Sequence, residues 1–120
     1  MQKIKDIVEK CKHKKFTVLV CAQDPDEVEQ VTRLEPNYVA YEPPELIGGD
    51  ISVSTAKPEL ITESVEKTKA REVPLIVGAG IKNSEDVKIS IDLGAKGILV
   101  ASGVVEAENQ EEAIRDLCSI

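Results

Sequence analysis

Tyr41-Glu42-Pro43-Pro44-Glu45-Leu46-Ile47-Gly48-Gly49-Asp50 is the stretch whose reading decides the fold. The residues before it, Tyr38-Val39-Ala40-Tyr41, form a short, apolar, β-prone run, so Glu42 falls at the C-terminal end of a strand. Side chains at that end carry the chemistry of parallel α/β proteins. Pro43 and Pro44 fix φ and end ladder bonding. Gly48-Gly49 then gives a flexible centre, and Ser52, Ser54, Thr55 and Ala56 a small-residue exit. Rigid at one end and pliable in the middle, such a loop is suited to close over a ligand and expel water.

On the N-terminal side, Ile4, Ile7, Val8 and Cys11 recur at helical spacing, which predicts a helix over residues 3–12 packed on a sheet. Phe16 to Cys21 is a near-continuous apolar run of strand length, as expected for a parallel sheet buried on both faces. Asp24-Pro25 caps a helix whose inner face is Val28, Val31 and Leu34. On the C-terminal side, Lys57-Pro58-Glu59 opens a helix with Leu60, Ile61, Val65 and Thr68 inward. Pro74–Val77 is a third strand. Asn83-Ser84-Glu85-Asp86 supplies a polar cap for a helix over Val87–Leu93 that stops at Gly94. Gly97–Val100 is the fourth strand, and Asn109 caps a last helix over Gln110–Leu117, with Ala113, Ile114 and Leu117 inward. Strands alternating with helices predict an α/β domain with a four-stranded parallel sheet, one domain over residues 1–120.

Composition narrows the function. Hydrophobic residues make up 42% and charged residues 31% of the chain, as in globular proteins. No apolar run reaches the ~20 residues of a membrane span, and Met1-Gln2-Lys3-Ile4-Lys5 has no signal-peptide core. These features place the chain in the cytoplasm, and Met1 at a helix start points to a gene-encoded or designed boundary. A net charge of −7 disfavours nucleic acid and acidic membranes as partners. Cys11, Cys21 and Cys118 share no metal spacing and read as reduced thiols. His13, in Lys12-His13-Lys14-Lys15, complements a helix end. No metal and no cofactor is expected.

Two small-residue loops stand out. Gly78-Ala79-Gly80 and Ala101-Ser102-Gly103 each follow a strand and let the backbone approach an anion, with Ser102 adding a hydroxyl and the helix near Ser84 its dipole. The alternative is that small residues merely let each strand turn into its helix. The chain also carries an internal repeat. Thr17–Gln23 superposes on Pro74–Gly80, and Val28, Leu34, Val39 and Tyr41 fall on Val87, Leu93, Ile98 and Val100. A two-(βα) duplication with a period of roughly 60 residues accounts for this, and so does shared core patterning without common descent.

The glutamate loop, with Val77-Gly78-Ala79-Gly80-Ile81 and Leu99-Val100-Ala101-Ser102-Gly103-Val104, resembles triosephosphate isomerase in its short archaeal form. The resemblance covers all 120 residues but only the second half of that enzyme, strands five to eight of a (β/α)8 barrel. It implies that Glu42 is the general base that moves a proton between the carbons of dihydroxyacetone phosphate and glyceraldehyde 3-phosphate. It further implies that the backbone amides of Ile47, Gly80, Ala101 and Ser102 hold the substrate phosphate. The family's electrophiles, an Asn-x-Lys pair after strand one and a His after strand four, have no counterpart here. Glu45, Lys57 and Lys82 are the candidate stand-ins. Glu45 matches the family's Pro-Pro-Glu-Leu pattern and has no independent role. Lys82 and Lys57 also read as a surface lysine and a helix start, and Glu42 itself also reads as an exposed loop carboxylate.

At 120 residues the chain has roughly half the length of a full barrel. Half a barrel exposes two sheet edges and the face that would line the interior. If Val18, Val20, Val39, Ile76, Ile98 or their neighbours form that face, the patch exceeds what a monomer tolerates. A homo-oligomer, dimer or tetramer, is therefore expected, either by closing an eight-stranded barrel or by stacking two sheets. Three readings follow: an isomerase half inactive or very weak alone that binds phosphate, a working isomerase completed by a complementary N-terminal half or by its own donors, and a self-associating module with a vestigial phosphate site.

Overall fold

The computed structural model describes all 120 residues. Helix α1 (Gln2–His13) precedes β1 (Leu19–Ala22), α2 (Pro25–Thr32) and β2 (Tyr38–Tyr41). A 3-10 turn (Pro44–Leu46) and the short α3 (Val53–Ala56) follow, then α4 (Pro58–Lys69), β3 (Leu75–Val77), α5 (Ser84–Asp92), β4 (Gly97–Ile98), the short α6 (Ser102–Val105) and α7 (Gln110–Leu117). The four strands pair in chain order and all in parallel, with Leu19 opposite Tyr38, Ala40 opposite Ile76 and Ile76 opposite Gly97. This is the α/β half-barrel expected. No helix is long and apolar enough to cross a membrane.

Helix starts follow the capping chemistry. Asp24, Asn83 and Asn109 each accept the amide three residues ahead. The core lies on one face of the sheet, between the strands and the helices. Val20, Ala22, Val39, Tyr41, Leu75 and Val77 point into it with Val28, Val31 and Ile61. Alternation places Leu19, Cys21, Tyr38, Ala40 and Ile76 on the opposite face. On that face Leu19, Cys21 and Tyr38 are exposed, Ile76 is half-buried and only Ala40 is buried. Of the five residues expected there, only Ile76 is on it. Val20 and Val39 turn into the helix layer, as do Val18 and Ile98 at the rim of the core.

Several boundaries differ from the expectation. β1 begins at Leu19, three residues late. The Phe16 amide donates to the Cys11 carbonyl at 2.9 Å in a turn that includes Lys15 at φ +59, and Phe16 is 64% exposed. β4 shrinks to Gly97–Ile98 because β3, its only neighbour, ends at Val77. Ile7 and Ile114, expected inward, are exposed because α1 and α7 flank the sheet and have no neighbour on that side.

Candidate functional site

Glu42 follows the last residue of β2, and its amide donates to the Ala22 carbonyl at 2.9 Å, so the strand geometry carries it past the ladder. It is half-buried and makes no ion pair. Two neighbours define its position. Gly78, at the end of β3, leaves the space that the carboxylate fills, since a Cβ there would lie 2.8 Å from Glu42 Cγ. On the other side the Cys21 thiol is pushed up from its ordinary range, first by desolvation, then by the charge of Glu42 and a hydrogen bond with it. Cys21 and Gly78 thus belong to the site, and sequence reading gave them no link to Glu42. Gly78 stands level with Glu42, one residue beyond the Tyr41–Val77 pair, and Cys21, the partner of Ala40, shares Glu42's face of the sheet, so strand register is the signal that finds them.

Glu42, Ile47, Gly80, Ala101 and Ser102 all line one cleft of about 270 Å³ at the C-terminal end of the sheet. The amides of Gly80, Ala101 and Ser102 donate to no protein acceptor. Gly80 has φ +69 and follows Ala79 at φ +84, so this turn uses left-handed backbone twice in succession. Ile47 is different, because its amide donates to the Pro44 carbonyl at 3.3 Å. That bond closes the 3-10 turn at the lid's entry and must open before the amide can serve a ligand. The first amides of α5 are also engaged: Ser84 N–H donates to Asp116 at 2.9 Å and Asp86 N–H to Asn83 at 3.0 Å. The dipole of that helix is therefore spent largely on protein acceptors.

The two lysines weighed as electrophiles lie outside the cleft. Lys82 Nζ bonds the lid's Asp50 at 2.8 Å, and Lys57 pairs with Glu45 across the lid's two ends. Each lysine holds its carboxylate below the usual range. No lysine, arginine or histidine lines the cleft with Glu42. A larger cleft of about 470 Å³ lies between α4 and α5, at the N-terminal end of β3, the end of such sheets that contributes stability rather than chemistry. The arrangement at the C-terminal end combines a proton acceptor with three free amide donors, suited to a small anion and lacking a charged electrophile.

Similarity to known proteins gives the arrangement its context. The sequence profile of triosephosphate isomerase matches residues 1–119. The triosephosphate isomerase of Thermoplasma volcanium is 47% identical over 115 residues, 96% of this chain and 54% of that protein. That of Methanocaldococcus jannaschii is 47% identical over 116 residues, 95% of this chain and 53% of that protein. The chain spans about half the length of these relatives. In fold it is similar to thiamine phosphate pyrophosphorylase from Pyrococcus furiosus, with a TM-score of 0.75 at 18% identity over 97% of this chain and 52% of that one. It is likewise similar to 3-hexulose-6-phosphate synthase, with a TM-score of 0.74 at 16% identity over 98% of this chain and 56% of that one. The sequence match, over nearly every residue and at close to half identity, establishes that the chain belongs to the triosephosphate isomerase family.

Proposed function

We propose that this chain is the strand-five-to-eight half of a triosephosphate isomerase, supplying the general base and the phosphate cup for interconversion of dihydroxyacetone phosphate and glyceraldehyde 3-phosphate. One observation carries the reading: Glu42 and the free amides of Gly80, Ala101 and Ser102 converge on one cleft. In this reading the amides hold the phosphate dianion, and Glu42 takes a proton from the carbon beside the carbonyl and returns it to the neighbouring carbon. The developing oxyanion needs fixed donors. Loss of a single such donor costs ~10²–10³ in rate, so without the family's Lys and His the chain alone works near background. The reading places the action in the cytoplasm, in glycolysis or gluconeogenesis.

The shape of the missing part follows from counting helices. A complete barrel has eight strands and eight helices. This chain has four strands and five helices of eight residues or more, all on the outer side of the sheet. Two unaltered copies would bring ten helices to eight places, with α7 of one copy contesting the position of α1 of the other. The complement that fits is a four-stranded unit with three helices that pairs with β1 and β4.

A second reading is favoured by the open face. Leu19 and Tyr38, paired across β1 and β2, expose 36 and 38% of their surface on the same face as Cys21 and Ile76. Burial of such a face stabilises by about 25 cal/mol per Å². In the absence of a complement, two copies pack these faces together, and the chain acts as a self-associating module that retains a phosphate cup.

The test is a coupled isomerase assay on the purified chain beside Glu42→Gln prepared identically, with calorimetric titration of inorganic phosphate. The reading predicts phosphate binding by both proteins and near-background turnover by both. Turnover abolished in Glu42→Gln would show that the chain supplies its own electrophile. No phosphate binding at all would remove the cup from the account.

A further inference from the structure

The proposed chemistry makes no use of Asp86, a carboxylate only 8% exposed that lies beside a cleft suited to anions. Negative charge there opposes anion binding, so its position needs a reason. The side chain joins two segments. One oxygen accepts the Lys82 amide at 3.0 Å, immediately beyond the Ala79-Gly80-Ile81 turn. The other accepts Ser54 Oγ of α3 at 3.4 Å, and Ser54 Oγ pairs with Ser52 Oγ at 2.8 Å. Ser52 and Ser54 are the lid's trailing end, and both are buried.

The turn so held is strained. Ala79 has φ +84 although it carries a Cβ, a conformation costing on the order of 1–3 kcal/mol that persists only where its surroundings impose it. Two attachments impose it here. The Val53 amide donates to the Ala79 carbonyl at 3.1 Å on the lid side, and Asp86 takes the Lys82 amide on the helix side. A close packing contact completes the unit, since a Cβ at Gly80 would sit 2.8 Å from the Ile51 carbonyl carbon. The first half of the chain provides an internal comparison. At the head of α2, Glu27 accepts the Gln23 amide at 2.8 Å, in the same relation to Asp24 that Asp86 bears to Asn83. No lid residue bonds Glu27.

We propose that Asp86 is a positioning residue for anion binding: it clamps the strained Ala79-Gly80 turn to the trailing end of the lid so that the Gly80 amide faces the cleft. The proposal rests on the phosphate reading above and identifies what keeps that cup formed. Asp86 touches no ligand in it and acts through the turn.

The experiment titrates inorganic phosphate into the wild-type chain and into Asp86→Ala, Asp86→Asn and Glu27→Ala, with amide hydrogen exchange followed at Val53 without ligand. Asp86→Ala is expected to weaken phosphate about tenfold, the scale of one lost hydrogen bond to a charged acceptor, and to speed exchange at Val53. Asp86→Asn keeps an oxygen for the Lys82 amide and should bind within about threefold of wild type. Glu27→Ala should lose stability and keep both phosphate affinity and Val53 protection. Folded Asp86→Ala that matches wild type in affinity and exchange overturns the proposal, as does Glu27→Ala weakening phosphate equally. If Asp86→Ala does not fold, Ser54→Ala replaces it and must speed exchange at Val53 for the proposal to stand. A wild type that binds no phosphate removes the cup while the exchange comparison still decides whether Asp86 clamps the turn.

Discussion

The two faces of the sheet are made by the same four strands and have opposite fates. On the helix side, Val39, Tyr41 and Val77 have no exposed surface, and Val20, Ala22 and Leu75 have little. On the other side, Leu19 and Tyr38 keep more than a third of theirs, and Cys21 is exposed. Alternation along each strand sets which residues face which way, but alternation does not supply cover. The helix side is a finished core, and the other is the wall of an interior that this chain does not close. Stability is therefore concentrated on one face. The candidate site sits at the rim of the other, where Glu42, Gly80, Ala101 and Ser102 line a cleft at the C-terminal end of the strands.

The largest expected contrast tests that asymmetry. Ile61→Ala, in the helix-side core, should cost about 2–5 kcal/mol in chemical denaturation. Leu19→Ser, on the open face, should change the stability of the isolated chain by no more than about 0.5 kcal/mol while weakening self-association in sedimentation. Similar losses at both positions would mean that the open face is already covered.

Gly78→Ala should come next. Its methyl collides with the Glu42 side chain, and overpacking of this kind costs roughly 1–3 kcal/mol unless the carboxylate swings away. A thermal melt measures the loss, and the Cys21 thiol reports the swing, its titration falling toward the usual range as the charge of Glu42 leaves it.

Tyr41 tests the buried side by pH. Its hydroxyl has no hydrogen-bond partner, and burial, followed by the charges of Glu45, Asp24, Glu59 and Glu63, pushes it up to about 12. The unfolded chain ionises this tyrosine near its ordinary value of about 10 and so binds fewer protons than the folded one between those limits. Stability should then fall as pH rises from about 10 to 12, by up to roughly 2–3 kcal/mol. Tyr41→Phe should remove that part of the alkaline slope, and its persistence would place the titration elsewhere.

The smallest effect belongs to the lid. Asp50 and Glu45 are held below their ordinary range by Lys82 and Lys57, so their pairs are present above the unfolded carboxylate range and lost as pH falls through the lowered folded values. The pairs are solvent-exposed, and Lys82→Ala should alter stability only marginally. Proteolysis of residues 47–50 should nevertheless accelerate in that variant. An unchanged rate would leave Lys82 a surface lysine.

The strands and the helix caps were legible in the sequence because each rests on local chemistry, whereas the strand order came with the resemblance to strands five to eight of a barrel. Asp24, Asn83 and Asn109 cap helices, and the apolar runs form strands. The ends of the strands were not legible. Phe16 to Val18 is as apolar as the rest of its run, but a strand extends only as far as its partner, and β2 begins at Tyr38. The inward or outward sense of Ile7 and Ile114 was equally hidden, since it depends on a neighbour that helical spacing does not reveal. At the site, Glu42 and the small-residue loops declare themselves by motif. Asp86 reads as one more polar residue in a helix start, and only the fold brings Ser54 to it.

The central claim is that this chain is an isomerase half completed by a four-stranded complement. The most direct measurement adds, as a separately produced chain, the part of the Methanocaldococcus jannaschii triosephosphate isomerase that lies outside the 53% matched by this chain, and follows coupled isomerase activity against its concentration. The account predicts turnover that rises to saturation with the added half and is absent with Glu42→Gln. Saturable binding of the two halves without turnover, or the same rate with and without the added half, would contradict it.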